Sequence, residues 1–502
     1  MKDSVTGHKS GSEFFKTPSM KARKRYFLNK MLVFPMLFLI PVLLPAQNQA
    51  WSLERCILHA RENNLTVKKQ FLNVQLAKTD NQQNKYGLLP SLNASASHVY
   101  NWGQTIDMYT NQFATERVQS NNFYLSTSVV LFNGFQKLNG IRQSQIDLQM
   151  SQLDVERTIN DISLNVTTFY LQVLFYKELV KVGENQLDIS RQQAERTAKL
   201  VNAGTLAQGE LLNMEAQVAS DELTLIESRN NYDISLLTLS QLLDLNNEPG
   251  FVIETPELGI LADKINASGP SDIYAFAVKN QPEILSSELR VRSSEKSLDI
   301  AKGAFSPTLS LNGSIGTGYS GASRQINPDI PSSVYMYPTG ITQISQDTVL
   351  GYGLKNEYRT KPFWDQITDN ENKSLGFYLS IPIFNGMRTR TNISRSKISL
   401  ENARLDLQIA KNNLNKVIQQ SHFDALASLK RYQAAQKKVS AQQESFHYAE
   451  QKYNVGLMTS VEYNQNKKDL AKAASDLLQA KYDFLFKTKI LDFYQGKPLT
   501  LK

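Results

Sequence analysis

LFNG at residues 131–134 and IFNG at residues 383–386 each close a run of alternating residues, and each precedes a long helical pattern. Their glycines lie 252 positions apart, and so do Gly204 in VNAGTL and Gly456 in YNVGLM. Upstream a second offset holds. AREN ending at Asn63 pairs with AVKN ending at Asn280, and Pro90 in LLPSL pairs with Pro307 in FSPTL, both 217 apart. The offsets differ by 35, so one insertion of that size between Pro307 and Ile383 accounts for all four pairs. The chain is read as an internal duplication, which decides the fold before any single element does.

Charge and cysteine usage narrow the class. Residues 1–46 hold eight Lys/Arg and two acids, so +6 of the chain's formal +8 sits there and the remainder carries only +2. That is not a nucleic-acid signal. The basic KARKRYFLNK is followed by the apolar MLVFPMLFLIPVLLPA, ending at Ala46. This reads as a secretory signal peptide with Met20 as an alternative start. A membrane anchor is the rival reading, but the apolar run is short and holds Pro35, Pro41 and Pro45. Cys56 is the single cysteine, which excludes a disulfide framework and suits a small buried helix residue. Past residue 46 no apolar run reaches helical membrane length, leaving a soluble chain or a β-barrel.

Four segments alternate with period two. Leu92, Ala94, Ala96, Tyr100 and Trp102 share one face of SLNASASHVYNW, and Phe123, Leu125, Val129 and Leu131 one face of FYLSTSVVLFNG. Leu309, Leu311 and Ile315 do so in TLSLNGSIG, and Leu375, Phe377, Leu379, Ile381 and Ile383 in LGFYLSIPIFNG. None of these segments contains Lys, Arg, Asp or Glu. That suits a surface with hydrocarbon on one side and water on the other; strands of a soluble sandwich are the alternative. Four strands cannot close a barrel, and an open edge cannot sit in lipid. Two copies would give eight strands and a filled interior, three would give twelve and a lumen; three is the favoured number. GTGYSG at 316–321 matches GxGxxG but is followed by a proline-containing stretch instead of a helix, so a dinucleotide site is rejected.

After each FNG the period changes to seven. Ile141, Leu148, Val155, Ile162, Phe169 and Tyr176 form one series, Ile159, Val166, Val173, Val180, Leu187, Ala194 and Val201 another, and Ile418, Ala425, Tyr432, Val439, Phe446 and Tyr453 a third. Sustained heptads predict coiled-coil packing. Each helix stops at a glycine turn, Gly204 or Gly456, and a second helix returns. The polar faces are rich in Gln, Asn, Ser and Lys, as wetted helices require.

The NQPEI stretch at 280–284, the two FNG strand ends, and the turns KLVNAGTLAQGELL and KYNVGLMTSVEYNQ resemble the TolC-like outer membrane efflux family over nearly all of 51–493. The resemblance implies a mixed α and β membrane protein. Its expected form is a trimer whose twelve-stranded outer-membrane β-barrel, four strands per chain, continues into a periplasmic α-helical barrel of coiled-coil hairpins. The expected division is a signal peptide over 1–46, a first repeat over 47–269 and a second over 270–502. The first holds strands at 91–102 and 122–133, a helical hairpin over 138–245 and an equatorial linker over 246–269. The second holds strands at 307–316 and 374–385, an extracellular loop over 317–373 and a helical hairpin over 387–493.

The implied function is a passive exit duct for small molecules in the outer membrane of a Gram-negative bacterium. Its implied partners are a periplasmic adaptor, an inner-membrane pump and lipid, with no nucleic acid, cofactor or metal. The turns at Asn202, Ala203, Gly204 and Thr205 and at Asn454, Val455, Gly456 and Leu457 match the tips that meet the adaptor. Glu210 and Glu462, six after each turn glycine, match the family's acidic entrance positions, and Tyr453 matches its gate tyrosine. Met458 stands where its best-known members have arginine, and Gln465 where a second acid is usual. Glu462 also reads as the end of a TxxE capping box from Thr459, Thr205–Gln208 reads as TxxQ, and Tyr453 equally suits core packing. An exit duct for protein or peptide secretion shares the fold and is the alternative; a soluble periplasmic scaffold is the third reading. No histidine pair has metal-ligand spacing and no nucleophile–base set is present, so an enzyme is not expected.

Overall fold

The computed structural model describes residues 50–114, 117–245, 251–256 and 269–501; the expected signal peptide and most of the expected linker lie outside them. The first half runs α1 (Leu53–Asn63), α2 (Leu65–Tyr86), β1 (Ser91–Asn101), β2 (Thr105–Ile106), β3 (Phe113–Ala114), β4 (Val118–Asn133), α3 (Gln136–Asn202) and α4 (Gln208–Leu242). The second runs α5 (Pro270–Asn280), α6 (Pro282–Gly303), β5 (Thr308–Ser320), β6 (Arg324–Ile326), β7 (Ser333–Ile341), β8 (Thr348–Lys355), β9 (Tyr358–Thr360), α7 (Phe363–Asp369), β10 (Asn372–Ser380), α8 (Arg388–Asn454) and α9 (Ser460–Tyr494).

The duplication is exact in length at every helix pair. α1 and α5 have 11 residues each, α2 and α6 have 22, α3 and α8 have 67, and α4 and α9 have 35. It extends to the interior. Cys56, Ala60, Val67, Ile162, Val166, Val173 and Leu239 form one core with Tyr170 and Leu174. Ile273, Ala277, Ile284, Leu414, Ile418, Ala425 and Leu491 occupy the matching places of the other. Cys56 is thus a packing residue at the place of Ile273, fully buried, and burial pushes its thiol up to about 12. The 67 residues of α3 span about 100 Å. Many inward positions are small: Gly183, Ser190 and Thr197 recur every seven residues and are all buried, which lets α4 and α9 approach closely.

The recurrence of FNG has a backbone cause. Gly134 and Phe135, and likewise Gly386 and Met387, are consecutive left-handed residues with φ of 61–63°. Two such residues fold a strand back into a helix, and glycine takes that conformation without penalty. At Gly134 a side chain would also collide with the Gly303 carbonyl and Ser306.

The four long strands form one antiparallel sheet in the order β1-β4-β5-β10. Register aligns Leu92, Thr127, Gly313 and Leu375, and two residues on Ala94, Leu125, Ile315 and Lys373. Val129, Leu311 and Phe377 continue the same apolar face. The opposite face is polar and bonded across strands: Ser128 donates to Asn312 at 2.7 Å, and Ser314 and Ser374 share a hydrogen bond of 2.7 Å. Aromatic residues bound the apolar face. Phe132 and Phe135 meet edge to face near the helices, and Phe123, Tyr319, Phe363 and Trp364 cluster at the far end. Gly316 and Gly318 of GTGYSG belong to β5, and Gly316 lies directly under the Tyr124 ring.

Three expectations are corrected. The last strand ends at Ser380, not 385, because Pro382 lacks the amide that would continue the ladder; it also begins earlier and takes in Lys373. The segment 317–373 is not an irregular loop. It completes β5, then builds two stacked strand pairs and the short helix α7, which docks on β5 through Gln366 (2.9 Å from Ser320 N, 3.0 Å to Ser320 O). The Thr205–Gln208 capping box does not form: α4 starts after Ala207, and the Thr205 hydroxyl bonds the Leu200 carbonyl at 2.8 Å.

Candidate functional site

Both helical hairpins end in the same turn. Gly204 has φ 73° and Gly456 φ 77°. Thr205 N reaches back to Leu200 O at 3.0 Å and Leu457 N to Lys452 O at 2.9 Å, closing each helix with the six-to-one bond of a glycine C-terminal motif. Neither glycine has a neighbour where a Cβ would stand. The turn residues Asn202, Ala203, Gly204, Thr205, Asn454, Val455, Gly456 and Leu457 are all exposed, and Val455 and Leu457 are so to 70% and 79%.

Between the turns lies a cleft of about 570 Å³ that brings Glu210, Glu462 and Tyr453 to one place. Glu462 is tied down. Its carboxylate accepts from Thr459 N and Thr459 Oγ1, each at 3.1 Å, while Glu462 N donates to Thr459 Oγ1 at 3.3 Å. This is a complete capping box, and it also places a carboxylate at the positive end of α9. Glu210, in the first turn of α4, has no side-chain partner among the described residues. Tyr453 does not bond either glutamate. Its ring stacks on Tyr463 with centroids 4.8 Å apart, and its hydroxyl lies 3.5 Å from Thr197 Oγ1, so it joins α8 to α3. Burial pushes the Tyr463 hydroxyl up to about 12.

Two groups were not found by sequence reasoning. Arg196 on α3 lines the same cleft, and its guanidinium donates to Asn454 Oδ1 in the opposite turn. It supplies a cation beside the cleft although position 458 is methionine. No periodic signal marks it, since it lies off the heptad stripe. The second group is fully enclosed. The Lys467 ammonium on α9 donates to Gln186 O at 2.9 Å, to Asp221 Oδ2 at 2.9 Å and to Ser190 Oγ. Gln217 Nε2 donates to the other Asp221 oxygen at 2.8 Å. Burial lowers the Lys467 pKa, and its bond to Asp221 works the other way. A heptad signal did exist here. Asp221 follows Met214 by seven, Lys467 follows Ser460 by seven, and all four are buried.

Among the described residues no group of three His, Cys, Asp or Glu side chains is placed to hold a metal ion, and no helix is long and apolar enough to cross a membrane.

The family model described as outer membrane efflux protein matches residues 57–244 and 274–492, one match on each half. Among curated proteins, outer membrane protein TolC of Escherichia coli is 22% identical over 442 residues, covering 87% of this chain and 80% of that one. Outer membrane efflux protein BepC of Brucella suis is 19% identical, covering 74% and 71%. The solved Campylobacter jejuni CmeC outer membrane channel has the same fold, with a TM-score of 0.66 at 18% identity over 90% of this chain and 87% of that one.

Proposed function

We propose, for a chain that belongs to the outer membrane efflux protein family, that three copies form the outer-membrane exit duct of a tripartite efflux system. In this reading small molecules pass outward passively, driven by an inner-membrane pump that connects through a periplasmic adaptor. The carrying observation is the four-stranded sheet. One face is apolar and exposed, both edges are unpaired, and the strands lead into 67-residue helices. Its one charge, Lys373, sits toward the outer end and pairs with Glu371 at 2.9 Å. Such a sheet is compatible with lipid only if copies complete one another.

The duplication supplies the joint. Inside the chain β4 pairs with β5 so that Leu125 faces Ile315. The two offsets carry this onto β10 and the β1 of a next copy, with Phe377 facing its His98. The α3–α6 packing of one chain maps in the same way onto α8 and the α2 of the next. Both bear unpartnered apolar stripes, Ile398, Leu405 and Ile409 on α8 and Leu65, Leu72 and Leu76 on α2, each more than half exposed. The protein extracted from outer membranes in mild detergent should have the mass of three chains after correction for bound detergent. A detergent-independent monomer would return the chain to the scaffold reading.

At the tips, the exposed Val455 and Leu457 beside the glycine turns suit a protein partner, here the adaptor. Three copies of Glu210 and Glu462 would place six carboxylates around a narrow mouth and favour cations. The double variant Glu210→Gln/Glu462→Gln keeps the capping geometry, since glutamine also serves in the box, and removes only charge. Single-channel recording should show cation preference reduced; an unchanged preference would sink the ring.

A further inference from the structure

We propose that each chain binds an anionic phospholipid of the periplasmic leaflet through a basic cluster at the start of α8. The inference rests on the outer-membrane reading above. Residues 388–397 hold Arg388, Arg390, Arg395 and Lys397 and no acid. All four are exposed, and none has a side-chain partner among the described residues. The duplication shows that the helix itself does not need them. At the same places, 252 residues earlier, α3 has Gln136, Leu138, Gln143 and Gln145, and it folds to the same length.

The cluster also sits where a helix resists it. Cations near the first turn oppose the positive end of the helix dipole. α8 offers no relief, because its N-cap Met387 makes no side-chain cap bond and its first turn holds no acid. The first acid along the helix, Glu401, faces Arg404 at 3.6 Å. In the three-copy ring the α2 of the next copy would lie alongside, and its C-terminal part brings Lys78 and Lys85 against Asp80 alone. Neither the chain nor its neighbour therefore neutralises the cluster.

Position selects the anion. Phe132 stands opposite Leu309, which stands opposite Leu379. The Phe132 ring meets Phe135 edge to face, so Phe135 continues the apolar face of the sheet into the helix. Met387 is the counterpart of Phe135 on α8, and Arg390 and Lys397 follow it by three and ten residues along one stripe. Just before them Ile381, Ile383, Phe384 and Met387 are all more than half exposed. Apolar contact thus gives way to four cations within about 15 Å of helix. The headgroup layer beneath the hydrocarbon is roughly 5–8 Å deep, and long basic side chains extend their reach toward it. Three of the four are arginines, whose planar fork suits a phosphate diester.

The assembled protein in mild detergent tests this, titrated with phosphatidylglycerol or phosphatidylcholine and with bound lipids counted by native mass spectrometry. Phosphatidylglycerol should bind once per chain, at least tenfold more tightly than phosphatidylcholine. Arg388→Gln/Arg390→Gln/Arg395→Gln/Lys397→Gln should lose that preference and keep the parent mass. Removing the same charge elsewhere, with Lys416→Gln/Lys430→Gln/Lys437→Gln/Lys468→Gln, should leave the preference intact. If the first variant fails to fold, Arg390→Gln/Lys397→Gln, confined to the exposed stripe, should still reduce the preference at least threefold. Equal binding of the two lipids by the parent, or an unchanged preference in the folded cluster variant, would overturn the proposal. So would displacement of the lipid by an equimolar amount of inorganic phosphate, which would make this a site for a soluble anion. The mass reports the three-copy reading separately: a single chain that still prefers phosphatidylglycerol would keep the site and remove the ring.

Discussion

Lys467→Met should destabilise the helical part of the molecule by about 3–5 kcal/mol per chain, the cost of leaving one member of a buried ion pair alone. Lys467 is 1% exposed, and its ammonium spends its hydrogen bonds on Gln186 O, Ser190 and Asp221. Without it the Asp221 carboxylate keeps Ser190 and Gln217 but faces no cation. The midpoint for loss of the helical circular dichroism signal on heating should fall accordingly. The double variant Lys467→Met/Asp221→Leu should recover most of the loss, because well-packed apolar groups often replace a buried pair at no net cost. If the single variant melted with the parent, the network would not pin the hairpins together.

The second large effect concerns the sheet. Leu311 lies at the middle of the apolar face, opposite Val129 and Phe377, while the adjacent Asn312 points to the polar face and accepts from Ser128. An arginine at mid-depth on a lipid-facing strand costs about 2–4 kcal/mol, and a three-copy barrel would bear it three times. Leu311→Arg should therefore be depleted from outer membranes and recovered as unassembled chain. Asn312→Arg, one residue away, should insert and assemble at the parent level. Equal behaviour of the two would mean that this face does not meet hydrocarbon.

The large-scale design was legible because period and repetition report it directly. Alternation marked the four strands, heptads marked the long helices, and constant offsets marked the duplication. What was missed has particular causes. The pairs α1–α2 and α5–α6 are separated by a single residue, Asn64 or Gln281, so each pair reads as one helix. The outer strand pair β7–β8 is rich in tyrosine and glycine, which blurs alternation, and β6 and β9 are only three residues each; Tyr335 lies over Gly353 and Tyr337 near Gly351. The capping box was assigned correctly at Thr459, whereas Thr205 was drawn to the Leu200 carbonyl instead. The cleft at the tips depends on two turns 252 residues apart lying side by side. Its glutamates could be named from motif position, but the arginine beside them came from a helix face that carries no pattern.

The equal lengths of the two hairpins make the molecule a gauge. Each long helix advances about 1.5 Å per residue, so two added heptads in α3 and its return helix would lengthen one arm by roughly 20 Å. In the proposed ring of three copies, unless α8 and α9 grew by the same amount, alternate arms would end at different depths, and one set of tips would reach past the other. The reach of such a duct can therefore change only in matched steps taken by both halves of the gene at once. The two 67-residue spans meet that condition.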